Sequence, residues 1–467
     1  MKVELLYGEG LLPAEIPDRA VLVPNTEVVT LPPVENLDAT VSRALTAPLG
    51  LPRIRELVRP GARVAIAFDD ATVGSYGPIR SVAIEAVLGE LDAAGVSRTN
   101  VTLICANALH RKLRREELAF LLGEDLVREF DPRLVCHDAE DPEVMVDLGQ
   151  TPEHGYAVEV HRLVAESDLT VYVNARYNRG FSGGWKSVCV GLSTYKSIRI
   201  THTPDGMSMA VHNNRMHAVL NEMGRHLESR LGRRIFKLDT LLSDPLRVAK
   251  VVAGSVDDTR REMLDTLARM FPPRRELATA RFDVLLYGIP DWSPYAVFSH
   301  VNPILTLISS GLGYLGGLIE ALGKPGCTVI MATPVPDRWD RTTHPSYPEI
   351  WERVLPITRD PYEIMRRFAE DYARRPDYIE AYRFAFGFHP AHGIMAVYPL
   401  NRLSHIGSVI VAAPRDPQVP RHLGFEVAAS VEEALARAEA VHGRECTIAC
   451  IQQPLRPLGA PGPGGRT

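Results

Sequence analysis

An α/β architecture, with two α/β domains, mainly parallel sheets and an active-site cleft between the domains, is predicted by three features of the sequence. Short apolar runs of strand length alternate with segments of helical period through most of the chain, a rhythm that places parallel strands under covering helices. The rhythm breaks at FPPRR, residues 271–275, and then resumes. The length, 467 residues, exceeds what one ordinary core organises. The expected domains are therefore residues 1–272 and 280–452. A Pro/Gly-rich tail, 453–467, has the composition of a disordered segment.

The opening MKVELLYGEG lacks the apolar stretch and cleavage site of a signal peptide and reads as a first strand. AVLVP (20–24) and RVAIAF (63–68) have strand length. PIRSVAIEAVLGELDAAG (78–95) carries apolar residues at helical spacing and stops at Gly95. NVTLICA (100–106) reads as a strand, KLRREELAFLLG (112–123) as a charged helix, DLTVYVNA (168–175) as a buried strand and RREMLDTLARM (260–270) as a helix. Beyond the break, strands are expected at 281–290, 327–334, 393–399 (GIMAVYP), 408–414 and 446–451, with helices at 303–323, through 349–386 and at 430–443.

The charge balance, 52 Lys+Arg against 57 Asp+Glu, excludes a protein whose main task is gripping a polyanion such as a nucleic acid. The six cysteines sit mostly in apolar runs and read as small buried hydrophobes. Residues 292–319 contain no Asp, Glu, Lys or Arg, but two prolines and four glycines interrupt them. A buried loop and helix is expected there instead of a membrane span, in a cytoplasmic protein.

Chemistry-bearing residues gather at strand ends. Asp69-Asp70-Ala71-Thr72 follows the 63–68 strand, where α/β proteins bind ligands. The same residues make a good turn or helix cap, and both readings stay open. Leu109-His110-Arg111 follows the next strand; an imidazole there suits proton transfer near neutrality, or is a hydrogen-bonded structural group. RGFSGGWKS, residues 179–187, follows the 168–175 strand. Its glycines permit close backbone approach to an anion, while Trp185 stands where a GxxxxGK[ST] phosphate loop requires glycine. Apolar neighbours predict that Lys186 is partly desolvated, which lowers a lysine pKa and makes the amine a nucleophile. His202 follows sixteen residues later. The pairs His212/His217 and His389/His392 fit no zinc spacing and read as structural or surface residues.

Taken in order, D-A-T, L-H-R, G-F-S-G-G-W-K and the spaced histidine resemble the nickel-dependent lactate racemase family over most of residues 1–270. The resemblance implies a covalently held nickel cofactor, pyridinium-3,5-bisthiocarboxylic acid mononucleotide, joined to Lys186 through a thioamide. His202 would be the protein ligand to nickel, in keeping with the soft sulfur and imidazole set that Ni(II) favours. Asp70, Thr72, Ser182, Gly183 and Gly184 would lie at the cofactor, and His110 would be a general acid/base on the substrate hydroxyl. The implied activity is racemisation or epimerisation of a 2-hydroxy acid, other than lactate, by proton-coupled hydride transfer. Cofactor-synthesis enzymes are the implied partners, and association of copies is left open.

Departures from the family are specific. Its second histidine, four residues before the GFSGG run, is Arg176 here, and its arginine directly after D-x-T is Val73. Arg176 is therefore expected to anchor the substrate carboxylate. His300 or Tyr177 is expected to face the substrate as the missing proton acceptor. Two other functions compatible with the residues are a redox enzyme that passes the hydride to a second substrate and a non-catalytic nucleotide or organic-acid sensor. A pyridoxal phosphate enzyme using Lys186 is another alternative.

Overall fold

The computed structural model describes residues 1–24, 31–177, 182–206, 214–270 and 280–452. The expected break at 271–275 and the tail 453–467 lie outside them.

Two large sheets organise the chain. The six-stranded sheet runs Arg247–Ser255, Phe236–Asp244, Leu169–Asn174, Val64–Asp69, Val101–Ala106 and Leu134–Cys136 across its width. Every pairing in it is parallel except that between Phe236–Asp244 and Arg247–Ser255. Its central strands read VAIAFD and LTVYVN and are buried along their whole length, as strands covered on both faces must be. The eight-stranded sheet is built from Phe282–Pro290, Gly323–Ala332, Ile406–Ala412, Glu426–Ala428 and Ile448–Gln452, again in parallel.

The three N-terminal strands complete this second sheet. Lys2–Gly8 pairs in parallel with Phe282–Pro290, placing Tyr7 opposite Ile289; Gly10–Glu15 folds back on Lys2–Gly8; Val21–Pro24 pairs with Ile448–Gln452. The expected boundary at 272 thus needs correcting for residues 2–24. They follow one another closely in sequence, yet Lys2–Gly8 and Val21–Pro24 find partners 280 residues and more away. Such pairing leaves no local trace in the sequence.

The run expected as a strand at 393–399 is helical, with turns at Pro390–Met395 and Tyr398–Ser404. Pro390 supplies a fixed φ at the first turn, and the His389 ring accepts from the Ala391 N–H as a cap. A short apolar run alone cannot distinguish the two states. Gly393 is required there: a Cβ would meet Ile350 Cδ1 at 2.6 Å and Ser346 Oγ at 2.8 Å. Helices do occupy most of 349–386, including Pro361–Ala373 and Pro376–Phe384.

One segment, Ile304–Leu322, is long and apolar enough to cross a membrane. It starts in wide helical turns, and Ile304, Leu305, Leu307, Ile308, Leu312 and Ile319 are fully buried. They belong to a single apolar cluster that also takes Ala67, Ile104 and Tyr172 from the six-stranded sheet and Leu285, Tyr287 and Val329 from the eight-stranded one. Apolar burial therefore joins the two sheets. All six cysteines are free and five are buried.

Candidate active site

The first wall of the site is the turn after Val64–Asp69. Asp69 accepts from Tyr172 Oη at 2.7 Å and from the Ala175 N–H at 2.8 Å; burial pushes its carboxyl up to about 6. Arg80, fully buried on the helix Ile79–Ala93, donates to the carbonyls of Asp69, Asp70 and Ser75 at 2.7–2.8 Å. Asp70 caps the turn through the Thr72 N–H at 3.1 Å and accepts from the Thr72 hydroxyl at 2.5 Å. Its other oxygen accepts from His110 Nδ1 at 2.8 Å. The cap and site readings are thus both satisfied by one carboxylate. Burial works against its charge, but the His110 ring and the Thr72 donors outweigh it and hold Asp70 below the usual carboxylate range.

Losing Arg80 would leave three buried carbonyls without their donor. Arg80→Leu is expected to cost about 3 kcal/mol or more, read in calorimetry as a fall of several degrees in Tm.

Asn107 sets the second wall by donating from Nδ2 to the carbonyls of His110 and His137, both at 3.1 Å. Because Asp70 holds the Nδ1–H of His110, the lone pair of that ring lies at Nε2, the arrangement of a base oriented by a carboxylate. Arg111 is used differently. It forms a buried bidentate pair with Glu117 at 2.8 and 2.8 Å, which fixes the start of the helix Arg115–Leu122.

The third wall is the glycine run. Asn178, Arg179, Gly180 and Phe181 lie outside the described residues. Gly183 and Gly184 have φ of +82° and +56°, which favour glycine. A Cβ at Gly183 would strike the Tyr177 ring at 2.1 Å, and one at Gly184 would meet Arg260 Cδ at 2.9 Å. Packing within the protein, and not only room for a ligand, requires these two glycines. Trp185 is fully buried, donates from Nε1 to Asp257 at 3.0 Å, and presses on Gly224 of the helix Arg215–Leu231. Lys237, buried in Phe236–Asp244, donates to the Gly184 carbonyl at 2.8 Å and to Ser187 Oγ at 2.6 Å, with Asp239 at 3.3 Å. Lys186 is therefore clamped on both sides. Burial lowers its amine to about 8, against the opposing pull of Asp69 and Asp70.

His202 follows the short helix Tyr195–Ile198. Its Nδ1 lies 3.2 Å from the Ile198 carbonyl and 2.9 Å from Thr201 Oγ1. A carbonyl can only accept, so the proton sits on Nδ1 and Nε2 keeps its lone pair, the way metal-binding histidines are oriented. Burial first, then the nearby Lys186 cation, lowers this ring to about 3, so it stays neutral.

Arg176, half-buried, points its Nη1 to the Val73 carbonyl at 3.4 Å. A Cβ on Gly74 would meet that Nη1 at 2.8 Å. The guanidinium thus lies over the turn at Val73 and Gly74. Its own carbonyl accepts from Ser182 Oγ at 2.9 Å.

The expectations for Tyr177 and His300 need correcting. Tyr177 packs in a buried cluster with Leu241, Val252, Met263 and Leu267, and its Oη accepts from Arg260 at 2.8 Å. That contact positions the glycine turn and leaves no substrate-facing hydroxyl. His300 is exposed at the surface. The side chains from the second domain that do meet His110 are Tyr295, Phe388 and His392, with ring centroids at 5.4, 5.7 and 5.2 Å. Of the remaining pairs, His212 lies outside the described residues, His217 is buried on the helix Arg215–Leu231, and His389 bonds Glu140 at 3.0 Å.

Sequence reasoning missed Arg80, Lys237 and His392 at this site. FKLDTLL, around Lys237, reads as an ordinary strand, and an arginine near the start of a helix carries no signal of burial.

Residues 7–216 match the family model described as the lactate racemase N-terminal domain. The lactate racemase of Lactiplantibacillus plantarum is 23% identical over 423 residues, 89% of each chain. That of Thermoanaerobacterium thermosaccharolyticum is 28% identical over 205 residues, 43% of this chain and 46% of the other. The structure of the lactate racemase apoprotein from the latter organism superposes with a TM-score of 0.69 at 19% identity, over 97% of this chain and 98% of the other, a likeness of fold. The chain is thus similar to lactate racemases, most clearly over residues 7–216, and it shares the two-domain α/β fold of the lactate racemase apoprotein.

Proposed function

We propose that the protein is a nickel-dependent racemase or epimerase of a 2-hydroxy acid whose side chain is larger than the methyl of lactate. Lys186 would carry the pyridinium-3,5-bisthiocarboxylic acid mononucleotide through a thioamide, and His202 would ligate its nickel. One observation supports this above the rest. A desolvated amine with a pKa near 8 lies close to a neutral imidazole whose Nδ1 is tied down and whose Nε2 is left for a metal. These residues fit the group. When bound, it supplies the acceptor and donor of a hydride at the carbinol carbon.

The chain's own residues do the rest. His110, oriented by Asp70, takes the hydroxyl proton at Nε2. Arg176 offers its guanidinium to the carboxylate from the turn at Val73 and Gly74. Tyr295 and Phe388 present aromatic faces beside His110 to an apolar side chain. In this reading the protein works in the cytoplasm and is loaded by cofactor-synthesis enzymes.

The test is mass and metal analysis of protein coexpressed with those enzymes. The expected result is one covalent adduct per chain, on the peptide containing Lys186, together with one nickel. Unmodified, nickel-free protein that still inverts a 2-hydroxy acid would overturn the reading.

A further inference from the structure

Inversion at a carbinol carbon asks more than one base can give. The oxygen must lose its proton on one side of the site and, after the planar carbonyl has turned, regain one on another. In this chain Arg176 stands where the family has a second histidine, and a guanidinium does not give up its proton at neutral pH. Tyr177 is locked in a buried cluster and His300 is at the surface. The second group must come from elsewhere.

We propose that His392, brought in from the second domain and held by Tyr347, is the second acid–base residue on the substrate oxygen, acting opposite His110. This rests on the racemase reading above.

His392 lies in the first turns of Pro390–Met395 and is only 7% exposed. Its ring stands edge-on to His110 at 5.2 Å and 86°, and against Tyr295 at 4.4 Å. Two imidazoles this close reach different points around one small substrate oxygen. The docking of the second domain on the His110 turn is specific: the His389 N–H donates to the Leu109 carbonyl at 3.0 Å, and Tyr382 Oη donates to that of Ala108 at 3.1 Å. His392 therefore does not approach His110 by way of a loose loop.

The partners of the ring match the role. Nδ1 is 2.7 Å from Tyr347 Oη, itself fully buried. A phenol can donate to that nitrogen or accept from it, so either tautomer is held, and Nε2 can present a lone pair or a proton. Among the described residues no group hydrogen-bonds Nε2. Burial and then the neighbouring His110, His344, His202 and His389 disfavour its charged form, so a proton taken by this ring is readily returned.

The proton account closes. From one enantiomer the hydroxyl proton passes to His110 Nε2, and the oxygen, once turned, takes the Nε2 proton of a neutral His392 as Tyr347 Oη passes its own proton to Nδ1, the phenol then being restored from water. From the other enantiomer the two rings exchange roles. Between turnovers each regains or sheds its proton to water.

The experiment uses loaded wild-type, His392→Asn and His110→Asn protein, with the separate enantiomers of 2-hydroxy-4-methylpentanoate and 3-phenyllactate as probes. Adduct and nickel content are measured first and are expected to be equal in all three. In rapid-quench single turnovers, His392→Asn is expected to oxidise one enantiomer to the 2-oxo acid at near wild-type rate. The other enantiomer should be slowed about 100-fold or more, and His110→Asn should show the mirror preference. Tyr347→Phe, which keeps the ring but not the phenol, is expected to weaken the same enantiomer as His392→Asn by about tenfold. It also stands in for that variant should it fail to fold. Loaded His392→Asn and Tyr347→Phe proteins that both match wild type, or that slow both enantiomers alike, overturn the inference and leave the racemase reading standing. Wild-type protein without adduct, or loaded wild type that inverts neither acid, overturns that reading and the inference with it.

Discussion

Replacing Lys186 with arginine is expected to leave a folded protein that carries no adduct and inverts its substrate at least about 10⁴-fold more slowly, the scale on which loss of a covalent group is felt. Arginine keeps the positive charge and much of the length, but its guanidinium cannot present a neutral nitrogen to a thioacyl carbon. The lysine can, because burial brings its pKa down to about 8 despite the carboxylates of Asp69 and Asp70 nearby. Labelling of the unloaded protein with an amine-reactive probe, followed peptide by peptide, should therefore be half-maximal for Lys186 near pH 8, well below the surface lysines. The same shift has a stability sign. A lysine whose native pKa is depressed destabilises the fold once it must be charged. The cost is absent above the unfolded value of about 10.5 and fully present below 8. Lys186→Met is accordingly expected to raise Tm at pH 7, with the gain fading toward pH 10.5. A Tm gain independent of pH would show that the amine is not desolvated.

This clamp on Lys186 also shows what a sequence can and cannot disclose. The strand ends that carry Asp70, His110 and Arg176 are legible because a buried parallel strand is a continuous apolar run, and polar residues just beyond it have few other places to go. The desolvation of Lys186 is legible from Trp185 and from Val188-Cys189-Val190, all buried. The glycines are legible as places of close approach, but not what approaches: Tyr177 and Arg260 fill the space beside Gly183 and Gly184. Pairing of Lys2–Gly8 with Phe282–Pro290 depends on hydrogen bonds between segments far apart in the chain, which no periodicity records. His392 was hidden for the same reason. Its neighbours in sequence suit a strand as well as a helix, and its partners His110 and Tyr347 lie 282 and 45 residues away.

Arg176 poses the sharpest substitution in the site, since it removes an imidazole and supplies a cation in one step. The family's arginine after D-x-T is missing at Val73, yet the Arg176 guanidinium returns to that very turn, 3.4 Å from the Val73 carbonyl. Gly74, at φ +66°, lies against it, and a Cβ there would meet Nη1 at 2.8 Å and push the guanidinium aside. Among the described residues, the long carbonyl contact uses one of the five guanidinium N–H groups and leaves a fork for a carboxylate. Arg176→Ala is therefore expected to weaken binding of a 2-hydroxy acid by about 2–3 kcal/mol, or about 30- to 150-fold in Kd, measured by calorimetry on the loaded protein. Arg176→Lys should recover only part of this, since an ammonium cannot match two carboxylate oxygens at once. Tm should scarcely move, because the hydrogen bond that the guanidinium makes among the described residues is long and weak. An unchanged Kd would mean that the carboxylate is held elsewhere. A large fall in Tm would mean that Arg176 serves the 73–76 turn and not the substrate. Arg176→His separates the two consequences of this position: it removes the fork while restoring an imidazole, so affinity should fall even if proton transfer does not.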